Sequence, residues 1–156
     1  MQIGYALIIF LHVMAAIVWI GGTIFMALII QPVIRKALSL QQRMAVYHET
    51  GMRFKKVQWV CLGILLLTGT FMVWKRGVPF ESFTSLISTK IALVVVVIVL
   101  SFLHSQIWGP RLVASSSDPQ SPSYLALVRK LRIFGQINLL ASLVIIFLAI
   151  LISRGN

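Results

Sequence analysis

Four long apolar stretches, each about the length of a membrane crossing, constrain this chain more than any other feature. They cover residues 3–30, 57–74, 86–108 and 135–152. A hydrocarbon core of about 30 Å needs roughly 20 apolar residues in helical form. A helix is also one of the few conformations that satisfies every backbone N–H and C=O without water. The sequence therefore predicts an all-α integral membrane fold, a four-helix bundle forming one domain over 1–156. Stop signals follow each stretch: Gln31-Pro32, Lys75-Arg76-Gly77, Gly109-Pro110 and Arg154. Proline lacks an N–H and restricts the residue before it, so Pro32 and Pro110 are expected to end their helices. Composition agrees, since 59% of the 156 residues are hydrophobic and soluble domains hold about 45–50%.

The chain carries 14 Lys and Arg against three acids, Glu49, Glu81 and Asp118, for a formal net charge of +11. In a soluble protein this would suggest nucleic acid. Here the basic residues flank apolar spans and form no separate stripe, so the charge reads as membrane topology and no nucleic-acid partner is expected. Ten of the 14 fall in two loops: Arg35, Lys36, Arg43, Arg53, Lys55 and Lys56 in one, Arg111, Arg129, Lys130 and Arg132 in the other. Cytoplasmic loops retain such residues. Both loops are therefore expected in the cytoplasm, with the termini and the loop around Pro79 and Glu81 on the non-cytoplasmic side of a bacterial inner membrane. Each basic loop begins at a proline and ends in a basic amphipathic lead-in, 44–56 and 124–134. The second and fourth helices are expected to start in these lead-ins and continue into the bilayer, giving two hairpins of the same orientation, a parallel repeat. Between them, Ser115-Ser116-Ser117-Asp118-Pro119 and Pro122 read as a flexible loop.

Cys61 is the one cysteine, which excludes an intrachain disulfide. There is no Cys-x-x-Cys-His motif and no Cys/His zinc cluster. The apolar start, with no positive leader region, is expected to be the first span and not a removed signal peptide.

Polar groups in hydrocarbon are costly, so each one asks for a reason. His12 shares a helical face with Ala16, Trp19, Gly22, Thr23 and Met26. Gly21-Gly22 would let a partner helix or a planar ligand approach the backbone closely. His104 has Ser101 and Trp108 on its face, and Lys90 near it can snorkel outward. Gly135, Asn138 and Ser142 form a polar seam on the fourth span, while Gly63, Gly69 and Thr70 offer close packing on the second. A lone intramembrane histidine can simply join two helices. Two of them, with no carboxylate in any span, point towards a metal or haem, because neutral imidazole ligates iron or copper and brings no charge into lipid. At 1.5 Å per residue His12 lies roughly 14 Å from the outer boundary and His104 about 20–27 Å. One haem shared by both is thus strained, and a haem on one histidine, two separate sites or a site across a dimer fit as well. His48 falls in the first lead-in, where solvent exposure is expected. The six methionines lack three- or four-residue spacing within a span and read as core filling.

The stretch Leu11-His12-Val13-Met14-Ala15-Ala16-Ile17-Val18-Trp19-Ile20-Gly21-Gly22 resembles the opening helix of the CopD-like copper-resistance membrane family. It is also similar to the first helix of HemJ-type protoporphyrinogen oxidases. Arg53-Phe54 leading into Leu67-Thr68-Gly69 resembles the second CopD-like helix, and Lys90 to His104 resembles the third HemJ helix. The resemblance implies a four-helix unit and, on the HemJ side, a b-type haem held by His12 and His104.

Three functions follow as expectations. The first is a haem b protein passing electrons within the bilayer, with His12 and His104 as metal ligands and Trp19, Gly22, Ser101 and Trp108 shaping the pocket. Its partner would be a quinone or another redox protein, and any enzymatic activity would be that of a haem-dependent membrane oxidoreductase. The second is a CopD-like copper-handling protein. The third is an accessory subunit of a larger membrane redox complex, or a homodimer, with the histidines as packing elements. A hydrolase is disfavoured, because no Ser/His/Asp set or carboxylate pair occurs at membrane depth.

Overall fold

The computed structural model describes residues 2–75, 77 and 85–154, all helical apart from short connections. The loop around Pro79 and Glu81 lies outside the described residues. Helix α1 (Gln2–Phe25) passes through a π-helical turn (Met26–Ile30) into α2 (Gln31–Ala37). Helix α3 (Leu40–Lys75) is one element of 36 residues. Helix α4 (Ser85–Phe102) passes through a second π-helical turn (Leu103–Trp108) into α5 (Gly109–Ala114), and α6 (Pro122–Arg154) is the last helix among the described residues. The four helical runs are long and apolar enough to cross a membrane.

Both prolines behave differently from the sequence expectation, because neither ends its helix. Pro32 and Pro110 sit in the first turn of α2 and α5, and each is preceded by the π-helical turn. In an α-helix the ring would press on the carbonyl four residues back, and the bond to that carbonyl would be lost. The wide turn relieves this: the Gln31 N–H bonds the Met26 carbonyl and the Gly109 N–H bonds the His104 carbonyl, five residues back. The helices therefore run on past the apolar segments, to Ala37 and Ala114.

Local chemistry fixes the other ends. Ser39 Oγ lies 3.5 Å from the Gln42 N–H, and Gln42 Oε1 accepts from the Ser39 N–H at 3.0 Å. This is a capping box that satisfies two orphan donors at the start of α3. Ser121 Oγ accepts from the Tyr124 N–H at the start of α6, with Pro122 pre-set in the first turn. Gly77 adopts φ +59° and donates to the Trp74 carbonyl, a left-handed stop that a side chain would strain.

The chain divides into two compact units, 1–82 and 83–156. In the first, α1 packs along α3; in the second, α4 packs along α6. Each is an antiparallel helical hairpin. Large apolar side chains point away from these contacts, with Ile3 88% and Leu67 76% exposed. Such faces suit lipid, since water would leave apolar surface of this extent uncovered.

Candidate metal centre and helix seams

His12 is held by the facing helix of its own hairpin. Its Nδ1 lies 2.7 Å from Thr68 Oγ1, and a Cβ added to Gly69 would stand 3.4 Å from His12 Cε1. The Thr68 hydroxyl donates to the Ile64 carbonyl at 2.5 Å. A hydroxyl has one hydrogen, so towards His12 it can only accept. With the Thr68 hydrogen on the Ile64 carbonyl, the ring proton is the one on Nδ1. That is the arrangement of a metal-ligating histidine, in which a partner on one nitrogen fixes the tautomer and aims the other. A second cross-hairpin contact sets the register: Lys75 Nζ lies 5.3 Å from the centre of the Tyr5 ring.

The small-residue notch further along α1 is filled. A Cβ on Gly22 would fall 2.6 Å from Phe54 Cε2, so of the two expected neighbours, a partner helix or a planar ligand, it is the helix α3 that lies on the Gly22 backbone, through the Phe54 ring. Trp19 is buried in the same hairpin, and its carbonyl accepts from the Thr23 hydroxyl. Glycine at position 22 thus serves packing between α1 and α3.

The second hairpin carries the other polar residues. Asn138 Nδ2 donates to Ser101 Oγ at 3.2 Å, and the Ser142 hydroxyl donates to the Asn138 carbonyl at 2.8 Å. Ser101 and Ser142 are buried. Asn138 Oδ1 and Ser105 Oγ are buried without a hydrogen-bond partner. His104 sits in the π-helical turn and is exposed; its Cε1 lies 3.8 Å from where a Cβ on Gly135 would be. Trp108 is buried against Phe134, with ring centres 4.7 Å apart, and under Lys130 Nζ at 4.6 Å. Both contacts on the Trp108 ring thus come from α6 of its own hairpin. His48 is exposed on α3.

His12 and His104 thus belong to different hairpins, and each faces a glycine on the long helix of its own. The sequence pattern marked Gly69 as a close-packing position and Gly135 as part of a polar seam. It did not single out Thr68 as the partner of His12, or Phe54 as the residue over Gly22. Only an antiparallel register linking positions 12 and 68 would have shown the first of these. Among the described residues no group of three or more His, Cys, Asp or Glu side chains could hold a metal ion. His12 can supply one ligand, not a closed cage.

Two helical hairpins with exposed apolar side chains, one of them carrying an imidazole held by Thr68, define an integral membrane protein with a candidate metal-binding position. The family model described as Copper resistance protein D matches residues 48–152, and the chain belongs to that family. The match takes in Thr68, Gly69, His104 and Gly135, whereas His12 lies before it. The chain is also 29% identical over 153 residues to an uncharacterized protein of Aquifex aeolicus (strain VF5), covering 96% of this chain and 95% of that one. No solved structure matches.

Proposed function

We propose that this protein handles copper within the bilayer, taking Cu(I) as cargo and using His12 Nε2 as a ligand. The observation that carries the reading is the contact of His12 Nδ1 with Thr68 Oγ1 at 2.7 Å, which orients the imidazole on the facing helix. Imidazole is a suitable copper donor that brings no charge into lipid. Family membership supports the choice of metal. A single strong ligand in place of a closed cage suits an ion in transit, which must bind well enough to enter and weakly enough to leave. The basic loops 35–56 and 111–132 are assigned to the cytoplasmic side of a bacterial inner membrane by their charge.

The test is copper content and copper flux in the same preparation. Protein reconstituted into liposomes is given Cu(I) under reducing conditions, and bound and transported metal are measured for the wild type and His12→Ala. Binding and flux in the wild type, both lost in the variant, are expected. A wild type that neither binds nor moves copper overturns the reading.

A second reading rests on His104. The residue is exposed and its ring lies near a glycine, whereas Phe54 covers Gly22 and Lys130 lies over Trp108. A haem b held there by His104 would supply one-electron chemistry. A reduced-minus-oxidised spectrum of pigmented wild type that His104→Ala bleaches would favour it over copper. Colourless protein made with ample haem would reject it.

A further inference from the structure

Helix α6 carries a shallow, open patch on its first three turns, formed by Leu125, Ala126, Arg129, Lys130, Ile133 and Phe134. The spacing of three and four residues puts most of these on one stripe of the helix. Along it two exposed cations lie between apolar side chains, with Leu125 56% and Ile133 43% exposed. The stripe ends where the apolar segment begins at Gly135, so it sits at the membrane boundary. Trp108 marks the same level: it is a buried aromatic at the end of the π-helical turn after α4, and Lys130 Nζ is parked 4.6 Å from the centre of its ring.

The charge here is not balanced. Helix α6 contains no Asp or Glu. On α3, by contrast, Glu49 pairs with Arg53 at 2.8 Å. We infer that the α6 stripe binds the phosphate headgroup of an anionic phospholipid, with Arg129 and Lys130 on the phosphate and the acyl chains along Leu125 and Ile133. Alternating apolar and basic side chains at the interface match the two halves of such a lipid, whereas a free anion would use only the cations. Lys130 is held in place by the Trp108 face, so one of the two charges is ordered before the lipid arrives.

The experiment uses the full chain in mild detergent, titrated with dioleoyl phosphatidylglycerol or dioleoyl phosphatidylcholine and read by native mass spectrometry. One phosphatidylglycerol retained in preference to phosphatidylcholine is expected. Two basic residues at a lipid surface are together worth about 30-fold in affinity, and one about fivefold. Arg129→Gln with Lys130→Gln should lose the larger factor and Arg129→Gln alone, which leaves the Trp108 contact intact, the smaller. Arg35→Gln with Lys36→Gln removes the same charge from exposed positions on α2 and should leave retention unchanged. Equal losses from both double variants, equal retention of the two lipids, or full displacement of phosphatidylglycerol by inorganic phosphate would each overturn the inference.

Discussion

Replacing Thr68 by valine keeps the shape of the side chain and removes only its hydroxyl. In the wild type that oxygen accepts from His12 Nδ1 at 2.7 Å and donates to the Ile64 carbonyl. The second bond is local back-bonding within α3, and its loss is neutral or slightly favourable for the helix. The effect therefore falls on His12. An orphaned buried donor costs about 1–3 kcal/mol in water-soluble proteins, but interhelical hydrogen bonds in a membrane average nearer about 0.6 kcal/mol. His12 is half-buried, so a stability loss of about 1 kcal/mol is expected. Loss of a group that orients a metal-ligating histidine weakens metal binding about 10–100-fold, or about 1.4–2.7 kcal/mol. The two effects separate in a competition titration with a chromophoric Cu(I) chelator, run beside thermal unfolding of the same samples. Thr68→Val should weaken copper binding within that range, and Thr68→Ser should restore it. Unchanged affinity in the valine variant, with stability reduced, would show that the pair serves packing alone and that the ligand assignment is wrong.

Substitutions at Gly22, Asn138 and Gly135 probe the seams. Gly22→Ala places a Cβ 2.6 Å from Phe54 and should destabilise the first hairpin by about 1–3 kcal/mol through overpacking. In a Phe54→Ala background the same change should become neutral or stabilising, as alanine is the better helix former, and thermal unfolding of all four proteins measures the coupling. Asn138→Leu removes the bond to Ser101 but also an unpartnered buried oxygen, so a melting temperature close to that of the wild type is expected. Gly135→Ala brings a Cβ only to ordinary contact with His104, 3.8 Å away. It should be tolerated in the same assay, whereas Gly135→Leu should displace the ring and, if the haem reading holds, bleach the pigment.

Much of the architecture is written in the pattern of apolar and basic residues. The four apolar stretches are long enough that only membrane helices accommodate them, and each lies within one of the four helical runs. The prolines mislead because the rule for proline concerns the α-helical hydrogen bond four residues back. A turn bonded five residues back evades that rule, and no residue type announces such a turn. The site was half legible. The histidines were conspicuous by their cost in lipid, but their partners depend on which residues of an antiparallel helix share a level. That is set by the whole seam, from Tyr5 over Lys75 to Phe54 on Gly22. Gly22 shows the limit most clearly. A glycine signals that something comes close, and the signal is the same whether a ligand or the chain's own phenylalanine arrives.

Each hairpin also satisfies polar groups from within, His12 with Thr68 in the first and Ser101 with Asn138 in the second. This bears on the order of synthesis. The first hairpin leaves the ribosome before the second exists, and it must wait in lipid where no water can attend an exposed imidazole. Because Thr68 arrives on the return helix of the same hairpin, the histidine gains its partner as soon as α3 inserts. The nascent chain can therefore pause in the membrane with this imidazole already hydrogen-bonded.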